Sequence, residues 1–542
     1  MPTRLGPLDA AWIFTEARAT PNHVGGLLQF RLPDDAPRDF MRELMADFRS
    51  QRDFKPPWNR RVKFPLSANP MPVWIEDDDI DLEYHVRHSA LPWPGGEREL
   101  GELVGRLQSS PIDLSRPPWE CTIIEGLEGN RFALFIKMHH SLIDGVSGMK
   151  LLQRAMSTDR EKSLGMPPFW ASGAERAARP EAPPATFANV ASAAVKALSV
   201  QAQTVPQLIA AFGKIVKRIG DRGEGMVVPF VDSPRSMLNG RIREKRRFAT
   251  QQFSLERMRA LAKAADATLN DVVLAICSGA LRRFLHERNE LPERSLTAGI
   301  PVSVRAKDDE RTGNAITFII AKLGTDLADP VERLETIRTS VRHAKAHVQG
   351  LPKQVMEQYT MLLMAPTLIT MLTGIGGRTR PMFNVTISNV PGPEKPLYFR
   401  GAELLATYPA SIVQHGLALN ITCQSYAGSM NFGFTGCHAS VPSLQRMAVY
   451  ATEAFEELEK AILRPRTVAT QDVSRSRAGK PAVVRTVKSR KAKVPGPEAV
   501  KRSVAPPRAR KRTAAKSEAP KARSPASTKA ARGRKRTRAA VA

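Results

Sequence analysis

The feature that most narrows the fold is a strand, a sharp turn and a helix written into residues 132–154. From Phe132 to Met138 large apolar residues recur with period two. That spacing sets Phe132, Leu134, Ile136, Met138 and His140 on one side of a strand and His139 on the other. The run ends in His139-His140-Ser141-Leu142-Ile143-Asp144-Gly145, and residues 146–154 follow with a helical pattern. The segment thus reads as a strand delivered through a sharp turn into a helix. It leaves His140 at the strand end with Asp144 close behind. Gly145 is expected to supply a backbone conformation that other residues resist. An imidazole in that position can take a proton near neutral pH, provided its ring is oriented.

At 542 residues the chain accommodates two domains and additional segments. A hydrophobic share of 42% is enough for ordinary globular cores. Residues 1–165 mix strand-like pieces (74–76, 132–140) with helix-like ones (99–109, 148–156). Residues 166–185 are rich in Pro and Ala and read as linker. An Ala/Val/Leu helical pattern follows over 186–219. It either packs across two domains or lies on a membrane surface with its apolar face down. The linker and this helix together span 166–235. Residues 236–465 form a second mixed α/β region, with strands expected at 248–253, 297–304, 315–323 and 382–388 and a helix at 271–287. The apolar block 361–376 contains Pro366 and falls short of the ~20 residues of a spanning helix, so it reads as a buried or interfacial helix pair.

The net charge of +28 is unevenly distributed: residues 471–542 alone carry +20. From about residue 466 Ala, Pro, Ser, Thr, Lys and Arg dominate and aromatic residues vanish. A segment 466–542 of that composition is expected to be disordered, with anionic lipid or nucleic acid as its partner. Cys121, Cys277, Cys423 and Cys437 form no CxxC pair and suit a reducing compartment. The first residues carry no apolar segment of the signal-peptide kind, and the expected location is cytoplasmic.

His139 to Gly145 resembles the HHxxxDG signature of the wax ester synthase/diacylglycerol acyltransferase family, within the CoA-dependent acyltransferases built like chloramphenicol acetyltransferase. Further blocks resemble the family in the expected order over residues 1–465. They are Gly6-Pro7-Leu8-Asp9-Ala10-Ala11-Trp12 with Asn22-His23-Val24-Gly25-Gly26, then Arg116-Pro117-Pro118-Trp119-Glu120. In the latter, Pro118 stands where leucine is usual. Thr268-Leu269-Asn270-Asp271-Val272-Val273, Pro301-Val302-Ser303-Val304-Arg305, Gly313-Asn314 and Ser388-Asn389-Val390-Pro391-Gly392-Pro393 follow. The resemblance implies two chloramphenicol-acetyltransferase-like α/β domains with mixed sheets and a channel between them. It implies transfer of a fatty acyl group from acyl-CoA to diacylglycerol, or to a long-chain alcohol. No cofactor is implied, and a protein of this kind is expected at the periphery of the inner membrane face or of lipid droplets.

Within that frame His140 is the expected general base, because an alcohol of high pKa attacks a thioester only as its proton is removed. His139, on the opposite strand face, packs or helps place substrate. Asp144 either holds the His140 ring, as in a triad, or is the structural carboxylate that the resemblance suggests, paired with an arginine. Asn270 and Asp271 sit where a helix begins, so they cap it or support the site wall. Ser388 or Asn389 is a candidate donor to an oxyanion, and the Pro-Gly-Pro after them is a rigid turn. Trp119 reads as packing. No GxSxG elbow, metal-ligand spacing, Walker loop or Rossmann loop is present. His139 and Asp144 also fit an HxxxxD pattern, but their flanks do not resemble the membrane glycerolipid acyltransferases that carry it. Two other readings stand beside the enzyme: an inactive scaffold that binds lipid droplets or nucleic acid, and transfer to a non-lipid acceptor.

Overall fold

Alternation in the 132–138 run becomes a central strand whose two faces build two separate cores. A computed structural model describes residues 3–64, 71–172, 227–303, 316–349, 370 and 374–463. The chain opens with β1 (Thr3–Arg4), α1 (Pro7–Phe14), β2 (His23–Arg31), α2 (Phe40–Ser50), β3 (Arg60–Lys63) and β4 (Val73–Glu76). Next come α3 (Leu82–His85), β5 (Val86–Ala90), α4 (Glu97–Ser109), β6 (Trp119–Leu127), β7 (Arg131–His139), α5 (Gly145–Gln153) and α6 (Arg160–Leu164). Phe132, Leu134, Ile136 and Met138 of β7 pack with α2 and α5, while Ala133 and Phe135 pack with α4.

The later half supplies β8 (Arg246–Ser254), α7 (Leu255–Ala264), α8 (Leu269–His286), β9 (Thr297–Ser303), β10 (Ile316–Lys322), α9 (Pro330–Gln349) and β11 (Val385–Val390). It ends with β12 (Tyr398–Phe399), β13 (Ala402–Ala410), β14 (Leu419–Tyr426), β15 (Ser429–Cys437) and α10 (Gln445–Leu463). One six-stranded sheet runs β12-β13-β2-β7-β6-β5 and the other β10-β9-β11-β14-β15-β8. Both are mixed: β5 is parallel to β6, and β11 is parallel to β9 and β14. The small sheet β1-β4-β3 carries α1. The second sheet buries one face under α7, α8, α9 and α10. Both large sheets lie within one unit, Met1–Val468.

Among the described residues the halves meet where β13 enters the first sheet and where α4 covers the second. Strands β12 and β13 come from the later half, yet β13 pairs with β2 in the first sheet. There the Thr407 hydroxyl donates to Gln424 Oε1 of β14 at 3.1 Å. Helix α4, from the early half, covers the edge strand β8 of the second sheet. A Cβ on Gly101 would lie 2.7 Å from the Phe248 carbonyl oxygen, and one on Gly105 3.1 Å from that of Arg246. Two glycines one helical turn apart therefore let helix and strand backbones meet, and the covered edge cannot recruit another strand.

Among the described residues no single helix is long and apolar enough to cross a membrane. The helical pattern at 186–219, the tail from 466, Val304, Arg305, Gly313, Asn314 and most of the 361–376 block lie outside the described residues.

Candidate active site

The histidine pair is fixed from both sides by its neighbours in the sheet. In the β2–β7 ladder His23 stands opposite His139. Beyond it the His140 N–H donates to the Asn22 carbonyl at 2.9 Å, and the His139 N–H donates to the Pro118 carbonyl at the same distance. A proline at 118 keeps this bond because only its carbonyl is used. The chain then turns back, with the N–H of Leu142 donating to the His139 carbonyl at 3.0 Å.

His139 is fully buried and its ring is committed. Nδ1 lies 3.2 Å from the Ser141 N–H and 2.6 Å from the Ser141 hydroxyl, so it is the acceptor nitrogen. Nε2 therefore carries the proton and faces Glu16 Oε2 at 3.4 Å, a charge contact longer than a good hydrogen bond. The same Glu16 oxygen accepts from the Asn22 N–H at 2.6 Å. On that face of the sheet His23 contacts the Gln108 carbonyl at 3.0 Å, and burial holds its imidazole well below the ordinary histidine range. Lys137 pairs with Glu120 at 3.2 Å and donates to the Leu107 and Ser110 carbonyls at the end of α4. That satisfies the orphan carbonyls of a helix C-terminus with a cation.

His140 is the member of the pair that solvent reaches, being only partly buried. Desolvation lowers its pKa, Asp144 opposes the shift by attracting the protonated ring, and His139 adds to it. The imidazole is therefore neutral near pH 7. A neutral imidazole keeps a lone pair on one ring nitrogen, and that nitrogen can accept a proton. One face of the ring stacks on Trp12, with centroids 4.5 Å apart and planes at 27°.

Asp144 does not hold the ring as a triad carboxylate would. It is the N-cap of α5: Oδ1 accepts from the Ser147 N–H at 2.9 Å and Oδ2 from the Ser147 hydroxyl at 2.8 Å. The physical reason is proximity, since a carboxylate just ahead of a helix meets unpaired N–H groups first. The expectation for Gly145 needs correcting. It is the first residue of α5, it is not among the glycines with positive φ, and a Cβ there would meet nothing within 4 Å. Capping by Asp144 already fixes a helical conformation, so what Gly145 leaves is open space beside the turn.

Asn270 and Asp271 open α8 in the helical layer of the second sheet. Thr268 is the cap, and Asp271 completes a capping box: its Oδ2 accepts from the Thr268 N–H at 2.9 Å and hydroxyl at 2.7 Å. Asn270 is the second helical residue and is partly buried. Ser388 and Asn389 are adjacent on β11 and face opposite ways. The register sets Ser388 beside Thr422 on the face that carries Asn420 and Gln424, away from the helices. Asn389 shares its face with Ile387 and Cys423, which line the apolar core. Trp119 is core, fully buried, with its indole N–H donating to the Trp58 carbonyl at 2.8 Å.

Sequence reasoning missed Glu16 as a site residue and met Trp12 and Asn22 only within a resembling block. The available signal was an acidic residue just past a short, mostly apolar N-terminal helix. Among the described residues no group of three or more His, Cys, Asp and Glu side chains is placed to hold a metal ion.

Residues 5–273 match the wax ester synthase/diacylglycerol acyltransferase catalytic domain, and residues 312–459 match the C-terminal domain of the same family. A Mycobacterium tuberculosis protein, provisionally named a diacylglycerol O-acyltransferase, is 43% identical over 486 residues, covering 84% of this chain and 97% of its own. The O-acyltransferase WSD of Acinetobacter baylyi is 39% identical over 468 residues, covering 86% and 99%. The solved wax ester synthase/diacylglycerol acyltransferase of Marinobacter aquaeolei VT8 matches with a TM-score of 0.69 at 37% identity, covering 84% of this chain and 98% of that one. With its HHxxxDG turn, its mixed sheets and both domain matches, the chain belongs to the wax ester synthase/diacylglycerol acyltransferase family.

Proposed function

We propose that the chain transfers a fatty acyl group from acyl-CoA to the free hydroxyl of diacylglycerol, giving triacylglycerol and CoA. The observation that carries this reading is His140: held neutral near pH 7, partly open to solvent, and stacked on Trp12. The imidazole of His140 takes the hydroxyl proton as the alcohol oxygen bonds to the thioester carbonyl carbon. The tetrahedral oxyanion then collapses, the carbon–sulfur bond breaks, and the thiolate of CoA receives the proton from the imidazolium. A positioned histidine contributes roughly 10²–10⁴-fold to such a step. The thioester is already activated, so one base suffices and no acyl-enzyme or cofactor is required. His139, buried and committed to Ser141 and Glu16, supports the turn. Asp144 acts through α5 and by its charge. Ser388 is our candidate donor to the oxyanion, since its strand face is polar while that of Asn389 is core.

A long-chain alcohol is the second acceptor, favoured by the wax ester synthase named in the Marinobacter relative. An inactive scaffold would not need the intact histidine, turn and cap. The purified protein should be assayed with palmitoyl-CoA against dioleoylglycerol, hexadecanol and no acceptor. Triacylglycerol formation supports the reading. Wax ester alone redirects it to the alcohol, and CoA release that no acceptor accelerates rejects it. We also propose that the protein works as a peripheral protein at the inner membrane face or on lipid droplets, where such acceptors concentrate.

A further inference from the structure

With Asp144 occupied by Ser147, the ring of His140 lacks the carboxylate that orients the base of a hydrolase triad. Its plane is matched instead by the indole of Trp12. The two rings are tied together through one residue. The side-chain amide of Asn22 donates to the Trp12 carbonyl at 2.8 Å and to the Thr15 hydroxyl at 3.0 Å, its N–H donates to Glu16, and its carbonyl accepts from the His140 N–H. Glu16 in turn faces His139. The backbone carrying the indole and the backbone carrying the imidazole are thus clamped to the same asparagine.

We infer that Trp12 is a positioning residue for His140: its indole face sets the plane of the imidazole and stabilises the imidazolium formed when the acceptor hydroxyl is deprotonated. An aromatic face is electron-rich, so it favours a cation stacked on it over the neutral ring. The charged and titratable groups around the imidazole are Asp144 at the start of α5, His139 on β7, and Glu16 behind His139. Trp12 is neutral at every pH. Its replacement therefore changes the proton affinity of His140 without adding or removing a titrating group. The inference rests on His140 being the base.

The test is acyl transfer from palmitoyl-CoA to dioleoylglycerol, measured from pH 5 to 9, for wild type, Trp12→Leu, Trp12→Phe and His140→Ala, with folding checked by thermal melting. For Trp12→Leu, kcat should fall roughly tenfold with KM for acyl-CoA nearly unchanged. The acid limb of kcat/KM should move to lower pH by about half a unit. Trp12→Phe keeps a weaker π face, so it should retain most of kcat and show a smaller shift in the same direction. A folded Trp12→Leu protein with wild-type kcat and an unmoved limb overturns the inference. So does Trp12→Phe behaving as badly as Trp12→Leu, because that marks simple packing. Should Trp12→Leu not fold, Trp12→Phe decides by whether its limb shifts. His140→Ala separates the two levels: activity retained there rejects the base itself, while activity lost there with Trp12→Leu unaffected rejects only the role of Trp12.

Discussion

A histidine that burial keeps neutral is a different reagent from one that a carboxylate keeps charged, and the distinction has a measurable sign. Desolvation depresses the His140 pKa, with Asp144 only partly opposing it. The base stays deprotonated to a pH below the ordinary histidine value of about 6.5. The expected kcat/KM profile is flat from pH 7 to 8 and declines only below that value; a decline beginning above pH 7 would contradict the assignment. At this scale the sequence was a good guide where contacts are local. His140, its strand face and the Asp144 cap all follow from spacing within one turn. Glu16 and Trp12 were not legible as partners, because they meet the pair beside Asn22 from far upstream in the chain and no period encodes such a contact. Gly145 misled, since a glycine after an aspartate suggests an unusual backbone where the structure has the first turn of a helix.

Elements were legible as elements and less so as neighbours. The expected strands at 248–253, 297–304 and 315–323 and the helix at 271–287 correspond to β8, β9, β10 and α8 with small shifts at their ends. The expected strand at 382–388 begins and ends a little later, at Val385–Val390. Alternation tells which residues share a face but not which strand lies alongside. Hence the pairing of β13 with β2 could not be read from the later region alone. The same holds for α4: its helical pattern at 99–109 was visible, while the need for Gly101 and Gly105 appears only when β8 is set against them. Gly101→Val should drive a side chain into the Phe248 carbonyl and cost about 1–3 kcal/mol, as overpacking does. Denaturant unfolding checks this, and a variant as stable as wild type would show that the helix does not sit close on the strand.

For the whole molecule, the sequence separates a mildly basic enzyme body from a strongly basic tail: residues 471–542 carry +20. Deleting residues 466–542 should leave acyl transfer on detergent-dispersed substrate intact, since every site residue precedes them. It should abolish most binding to DNA and to anionic vesicles at low salt. Lost catalysis in a folded truncation would assign the tail to the enzyme, and unchanged binding to both polyanions would remove its electrostatic role. A peripheral protein should also be released from membranes by high salt or alkali; release by detergent alone would indicate an integral one. The central claim is that one solvent-reachable histidine, backed by a buried one, performs acyl transfer without an acyl-enzyme. The most direct measurement compares folded His140→Ala and His139→Ala proteins with wild type, using palmitoyl-CoA and dioleoylglycerol. The account predicts a loss of at least ~10²-fold for His140→Ala and a smaller loss for His139→Ala. Near-wild-type turnover by a folded His140→Ala protein would contradict it.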